Sequence, residues 1–129
     1  MAEWVSRKPT GDFDAVVEAA LAEIPEAFRP YLENVIIEAQ RRPSVEMARS
    51  VGLSDPRMLF GLYVGRPLTK RSVDEGAVMP DRVLIFQENL ERACRTPEQL
   101  KLEIRKTVLH EVGHHFGLNE DDLKRLGYG

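Results

Sequence analysis

One five-residue stretch constrains this chain more than any other. His110-Glu111-Val112-Gly113-His114 is an HExxH pattern holding two of the three histidines in the sequence, and the third, His115, follows at once. A helix turns about 100° per residue, so positions four apart differ by only ~40° around its axis. His110 and His114 therefore project the same way, one turn apart, as two imidazoles sharing a metal ion require. Glu111 stands beside them, where a carboxylate can take a proton from a metal-activated water. The chemistry demands a helix here, and the fold has to be built around that helix.

The flanking residues supply it. Thr96-Pro97-Glu98-Gln99 reads as a helix start, with Thr96 as N-cap, Pro97 at the first helical position and Gln99 completing a capping box. From Pro97 to Phe116 there is no further proline, and Gly113 is the one glycine. Leu102, Val108, Leu109, Val112 and Phe116 gather on one side of the wheel as a core-facing stripe. His110 and His114 fall roughly opposite, which suits ligands at a cleft. The plainer alternative is a pair of solvated surface histidines. His115 lies about 100° from His114, which places it at the edge of the stripe or in support of the site.

Gly117 suits a helix end in the left-handed conformation, and a reversal there returns the chain toward the histidines. Six residues after His114 comes Glu120, giving H-E-x-x-H-x-x-G-x-x-E. This resembles the extended metzincin spacing with a carboxylate in the third ligand position, and a carboxylate oxygen is a competent zinc ligand. Two other accounts stay open. Asp121 competes for the ligand role, and Asn119 can cap a last short helix with Glu120 as a first-turn acid.

A chain of 129 residues with 43% hydrophobic residues supports one domain and one core. The net charge of −3 and the scattered pairs Arg41-Arg42, Lys70-Arg71 and Lys124-Arg125 argue against nucleic acid as a partner. A single cysteine, Cys94, leaves no internal disulfide, and a half-buried helix position accounts for it better than reactivity does. There is no apolar run long enough for a membrane span and no secretory h-region near Met1, so a cytoplasmic location is expected.

Along the chain, residues 1–10 read as a loose tail and 11–129 as a single domain. Phe13, Val16, Val17, Ala20, Leu21 and Ile24 form an amphipathic helix stopped by Pro25. Val35-Ile36-Ile37, Leu59–Val64 and Arg82–Phe86 read as three strands. Ser44–Val51 is a short helix or an irregular connection. Residues 65–80 form a long loop, a candidate cover for the cleft, and residues near 88–95 are helical. The expected class is α+β: a small three-stranded mixed sheet packed on the motif helix, with an N-terminal helix and a short C-terminal helix.

Pro80-Asp81-Arg82-Val83-Leu84-Ile85-Phe86 and Thr107–Leu118, with Glu33-Asn34-Val35 and Leu59–Tyr63 before them, resemble a family of small bacterial metallopeptidase-like proteins. That family has a minimal zincin, or matrix-metalloprotease-like, domain. The resemblance covers most of the chain. It implies a compact zincin core holding one Zn2+, with His110, His114 and Glu120 as ligands and Glu111 as catalytic acid/base. Two departures stand out. The family commonly has Asp at the last ligand position, and no methionine follows Glu120 to make a Met-turn; Met79, upstream, reads as core or loop filling.

The activity this points to is hydrolysis of a peptide or protein substrate by zinc-activated water. Glu111 moves the proton, and Tyr63 or Tyr128 are candidate oxyanion donors. The substrate would lie extended along the Leu59–Val64 strand, where Gly61 permits close approach. Alternatives are a non-catalytic, zinc-stabilised protein-binding module and a metal-dependent hydrolase of a non-peptide amide or ester. Two nitrogens and one oxygen favour zinc, with iron, nickel and cobalt as competitors. Oligomeric state is left open.

Overall fold

The computed structural model describes residues 3–6, 11–65 and 80–128. Its elements run β1 (Glu3–Ser6), α1 (Gly11–Ala22), a 3-10 segment (Glu26–Leu32), β2 (Val35–Gln40) and α2 (Val45–Ser50). A short 3-10 turn (Pro56–Met58) leads into β3 (Gly61–Val64), and then come β4 (Asp81–Phe86), α3 (Gln87–Ala93), α4 (Pro97–His115) and α5 (Glu120–Arg125). The strands form one mixed sheet in the order β1-β2-β4-β3, with β1, β2 and β4 parallel and β3 antiparallel to β4.

Val83-Leu84-Ile85-Phe86 is an unbroken apolar run because β4 is covered on both faces. All four residues are at most 1% exposed. Strand alternation divides them. Val83 and Ile85 face the main core with Ile37, Phe13 and Val17 from α1, and Ile104 and Val108 from α4. Leu84 and Phe86 face a smaller cluster with Leu59, flanked by Met47, Leu62 and Val64. The α+β class and the mixed β2-β4-β3 sheet over the motif helix thus match expectation.

Three details differ from it. Glu3–Ser6, expected within a loose tail, pair in parallel with Ile36–Ala39, so the sheet has four strands. The unpaired edge of β2 is a template for any extended segment, and the β-forming Trp4 and Val5 meet that demand. Leu102 and Phe116, expected in the core stripe, are 40% and 51% exposed. The buried stripe of α4 is instead Leu100, Ile104, Val108, Leu109 and Val112. Wheel position fixes a side chain's direction, but burial also needs a neighbouring element on that side. Finally, Leu59 and Phe60 precede β3 rather than extending it. Residues 66–79, including Met79 and the candidate cover over the cleft, lie outside the described residues.

Candidate active site

Helix α4 begins as its sequence asks. Thr96 Oγ1 accepts from the Gln99 N–H at 3.1 Å, while the Gln99 side chain reaches back to the Arg95 N–H at 2.7 Å. That is one residue further than a standard capping box. The helix ends on Gly117, at φ +83°, with the Leu118 N–H on the Gly113 carbonyl at 2.8 Å. Beyond this turn Asn119 and Asp122 form a reciprocal capping box that starts α5. Gly113 explains how α5 comes so close. A Cβ there would stand 3.2 Å from Leu123 Cδ2, and Leu123 is fully buried against α4.

The return brings Glu120 to the histidines. Its Oε1 lies 3.0 Å from His114 Nε2 and 3.9 Å from His110 Nδ1. The rings of His110 and His114 have centroids 5.9 Å apart. His110 Nε2 meets the carbonyl oxygen of Tyr128, which the chain end carries back beneath the helix. Asp121 is exposed and bonds neither histidine.

Among the described residues no three His, Cys, Asp or Glu side chains stand in an arrangement that could hold a metal ion as they are. Glu120 bonds His114 directly, and His110 spends Nε2 on Tyr128. The donors nevertheless fit zinc. Zinc–nitrogen and zinc–oxygen bonds of ~2.0–2.2 Å at tetrahedral angles separate two ligand atoms by about 3.4 Å. The observed 3.0 and 3.9 Å lie on either side of that value.

Glu111 shares a cleft with His110 and reaches the sheet edge. Its Oε1 accepts the backbone N–H of Tyr63 in β3 at 3.0 Å. Burial pushes the Glu111 carboxyl above its ordinary value of 4.5, against the opposing effects of the Tyr63 N–H and the two histidines. A cleft of about 410 Å3 runs between α4 and the start of β3, lined by Phe60, Gly61, Thr107, His110 and Glu111 among others.

Of the two candidate tyrosines, Tyr63 has its hydroxyl committed within the sheet. Tyr63 Oη donates to Asp81 Oδ2 at 2.6 Å, and its ring stacks on His115, with centroids 4.0 Å apart and planes 11° from parallel. His115 Nε2 lies 3.8 Å from the same Asp81 oxygen, so His115 joins β3 and β4 and stays apart from the His110–His114–Glu120 group. Tyr128 packs its ring edge-on against Phe28 and offers His110 a carbonyl instead of its hydroxyl.

Three features escaped the sequence: the Tyr63 N–H on Glu111, Asp81 as partner of Tyr63, and the Tyr128 carbonyl on His110. All are long-range contacts with no local pattern. Gly61 did carry a signal, a glycine inside an apolar strand, and the side chain nearest it is Thr107 of α4.

With this geometry in place, comparison with known sequences is informative. A family model of zincin-like metallopeptidases matches residues 32–129, from the 3-10 segment before β2 to the end of the chain. No curated protein matches.

Proposed function

The chain belongs to the zincin-like metallopeptidase family, and from that premise we propose that it is a zinc-dependent hydrolase of peptide bonds. His110, His114 and Glu120 hold one zinc ion, and Glu111 moves the proton. The observation that carries this is the convergence of Glu120 Oε1 on both imidazoles, at 3.0 and 3.9 Å, with the half-buried Glu111 carboxyl on the same helix.

Zinc held there supplies a Lewis acid that polarises a carbonyl and makes water acidic near neutral pH. The proton work falls to Glu111. A carboxyl raised by burial sits nearer the working pH than an ordinary one. It can take a proton from the attacking water and return it to the leaving amine. The Tyr63 N–H fixes one of its oxygens, which holds the side chain against β3 and leaves the other oxygen for transfer. The Tyr128 carbonyl fixes the ring orientation of His110, as a hydrogen-bonded partner behind a ligand does. An extended peptide lies along β3, which is the outer strand of the sheet and one wall of the cleft.

Two measurements on purified protein test this. Elemental mass spectrometry after dialysis should find close to one zinc per chain in the wild type and a sharp fall in Glu120→Ala. A peptide-library digest should show cleavage by the wild type and none by Glu111→Gln, which keeps the metal. A zinc-supplemented preparation that retains no zinc, or equal cleavage by both proteins, refutes the proposal.

A further inference from the structure

A second cavity adjoins the cleft. It is an open depression of about 330 Å3, lined by Asp55, Arg57, Met58, Phe60, Asn89, Arg92 and Ala93. Met58 and Phe60 are common to it and to the cleft that holds His110 and Glu111. A group in this depression therefore adjoins the cleft that His110 and Glu111 line, with Met58 and Phe60 between. Its size is at the small end of ligand sites, suited to a single side chain and not to a large cofactor.

Its polar groups are not equivalent. Arg57 is paired: its Nε and Nη2 bond both carboxylate oxygens of Asp55 at 3.0–3.3 Å, and its backbone N–H adds a further bond to Oδ1 at 3.0 Å. Asn89 is 2% exposed and fully committed. Its amide donates to the Pro56 and Leu59 carbonyls at 2.9 and 2.7 Å, which staples the loop before β3 to α3. Its remaining oxygen accepts from Arg92 Nη1 at 3.2 Å. Arg92 is thus aimed by a buried amide, yet it has no carboxylate within ion-pair distance among the described residues. Arg92 is exposed and its charge also acts on the Asp55 carboxylate, so one carboxylate faces two guanidinium groups and the lining carries one positive charge in excess. Phe60, Met58 and Ala93 supply apolar walls.

We propose that this cavity is a substrate subsite for a carboxylate carried on a short apolar stem, with Arg92 as the specificity-determining residue. This rests on the peptidase reading and deepens it: the preferred substrates carry an acidic residue beside the scissile bond. A planar guanidinium with free N–H groups matches a carboxylate in two-pronged fashion, and the stem lies against Phe60. The same chemistry arises from an internal glutamate or from a free chain end, and the test separates the two.

At 14.7 kDa the protein suits solution NMR. The 15N-labelled wild type is titrated with three uncleavable probes: N-acetyl-glutamate N-methylamide, its glutamine counterpart and N-acetyl-leucine with a free carboxylate. The expected result is a saturating shift of the Asn89 side-chain amide and the Phe60 and Ala93 backbone amides with the glutamate probe. The glutamine probe should bind at least about fivefold more weakly, and Arg92→Gln should abolish that difference. Tighter binding of the acetyl-leucine carboxylate would support the carboxylate site with a chain end as its source. Equal shifts from the glutamate and glutamine probes, no shifts at these amides, or a preference unchanged in Arg92→Gln would overturn the proposal. The probes need neither zinc nor hydrolysis. A protein that binds them but cleaves nothing keeps the subsite and loses the activity, and the converse result loses the subsite alone.

Discussion

Replacing Gly61 by alanine tests how closely the edge strand and the motif helix are set. A Cβ at this position would come closer than 3.0 Å to Thr107 Cγ2 and within 3.2 Å of the Leu84 carbonyl oxygen. One neighbour is a side chain of α4 and the other is the backbone of β4, so the methyl group is caught between two fixed elements. Overpacking of this kind costs about 1–3 kcal/mol. The lower unfolded-state entropy of alanine offsets roughly 0.4–1 kcal/mol of that, which leaves a net loss near 1.5 kcal/mol. An unfolding entropy of about 2.1 cal/mol/K per residue amounts to ~0.27 kcal/mol/K for this chain, so Tm should fall by about 5–6 °C.

The same geometry names its own rescue. Thr107→Ser removes Cγ2, at a cost on the scale of one buried methyl, about 0.5–1.5 kcal/mol. In the Gly61→Ala background that deletion also removes the clash. The double variant should therefore be more stable than the sum of the two single losses by at least ~1 kcal/mol, measured by calorimetry as a double-mutant cycle. Rescue should stay partial, because the Leu84 carbonyl cannot be removed. Strictly additive losses, or a Gly61→Ala protein as stable as the wild type, would show that β3 and α4 are not held at this distance.

Other outcomes follow from the same site. Asp121→Ala should leave zinc content unchanged where Glu120→Ala lowers it sharply, and elemental analysis of the pair decides which acid holds the metal. His115→Ala should keep its zinc but lose about 0.5–1.5 kcal/mol of stability with the Tyr63 stack, and His115→Phe should recover most of it in thermal melts. In metal-free protein the raised Glu111 carboxyl binds its proton more tightly folded than unfolded. Its contribution to stability is thus complete below about pH 4.5 and declines as pH rises through the folded value. The Tm advantage of Glu111→Gln over the wild type should accordingly grow between pH 4 and 7, and a constant difference across that range would exclude the raised value. Burial and the nearby Glu103 push the Cys94 thiol above its ordinary value of 9.0, so iodoacetamide at pH 8 should modify it more slowly than a free cysteine.

What the sequence made legible was local. Period and capping residues located α1, α4 and α5, and the HExxH spacing put both imidazoles on one side of α4. Gly117 announced the reversal that returns Glu120. Each of these rests on contacts within about six residues, which a linear pattern can encode. The stripe of α4 was less legible at its ends. Leu102 and Phe116 have the right angular position, but burial depends on where α1, the sheet and the chain end stop. β1 was missed for a related reason, since a four-residue strand has little pattern of its own and exists because β2 offers an edge.

The candidate site lies on the boundary between these two kinds of information. The proposed ligand set is almost wholly local, from His110 to Glu120, whereas the setting of Glu111 is almost wholly non-local. Glu111 owes its orientation to the N–H of Tyr63, 48 residues away, and its burial to β3 lying against α4. That close approach is possible because Gly61 has no side chain and Thr107 fills the space. A chain can therefore carry an intact HExxH pattern and still lack a tuned base if its edge strand is displaced. Conversely, the distance between β3 and α4 sets both the desolvation of Glu111 and the width of the cleft beside it. Under the proposed function, raising the base and admitting the substrate are opposing demands on one separation. Gly61 meets both, since it lets the strand approach the helix by its backbone alone while the cleft stays open beside Phe60.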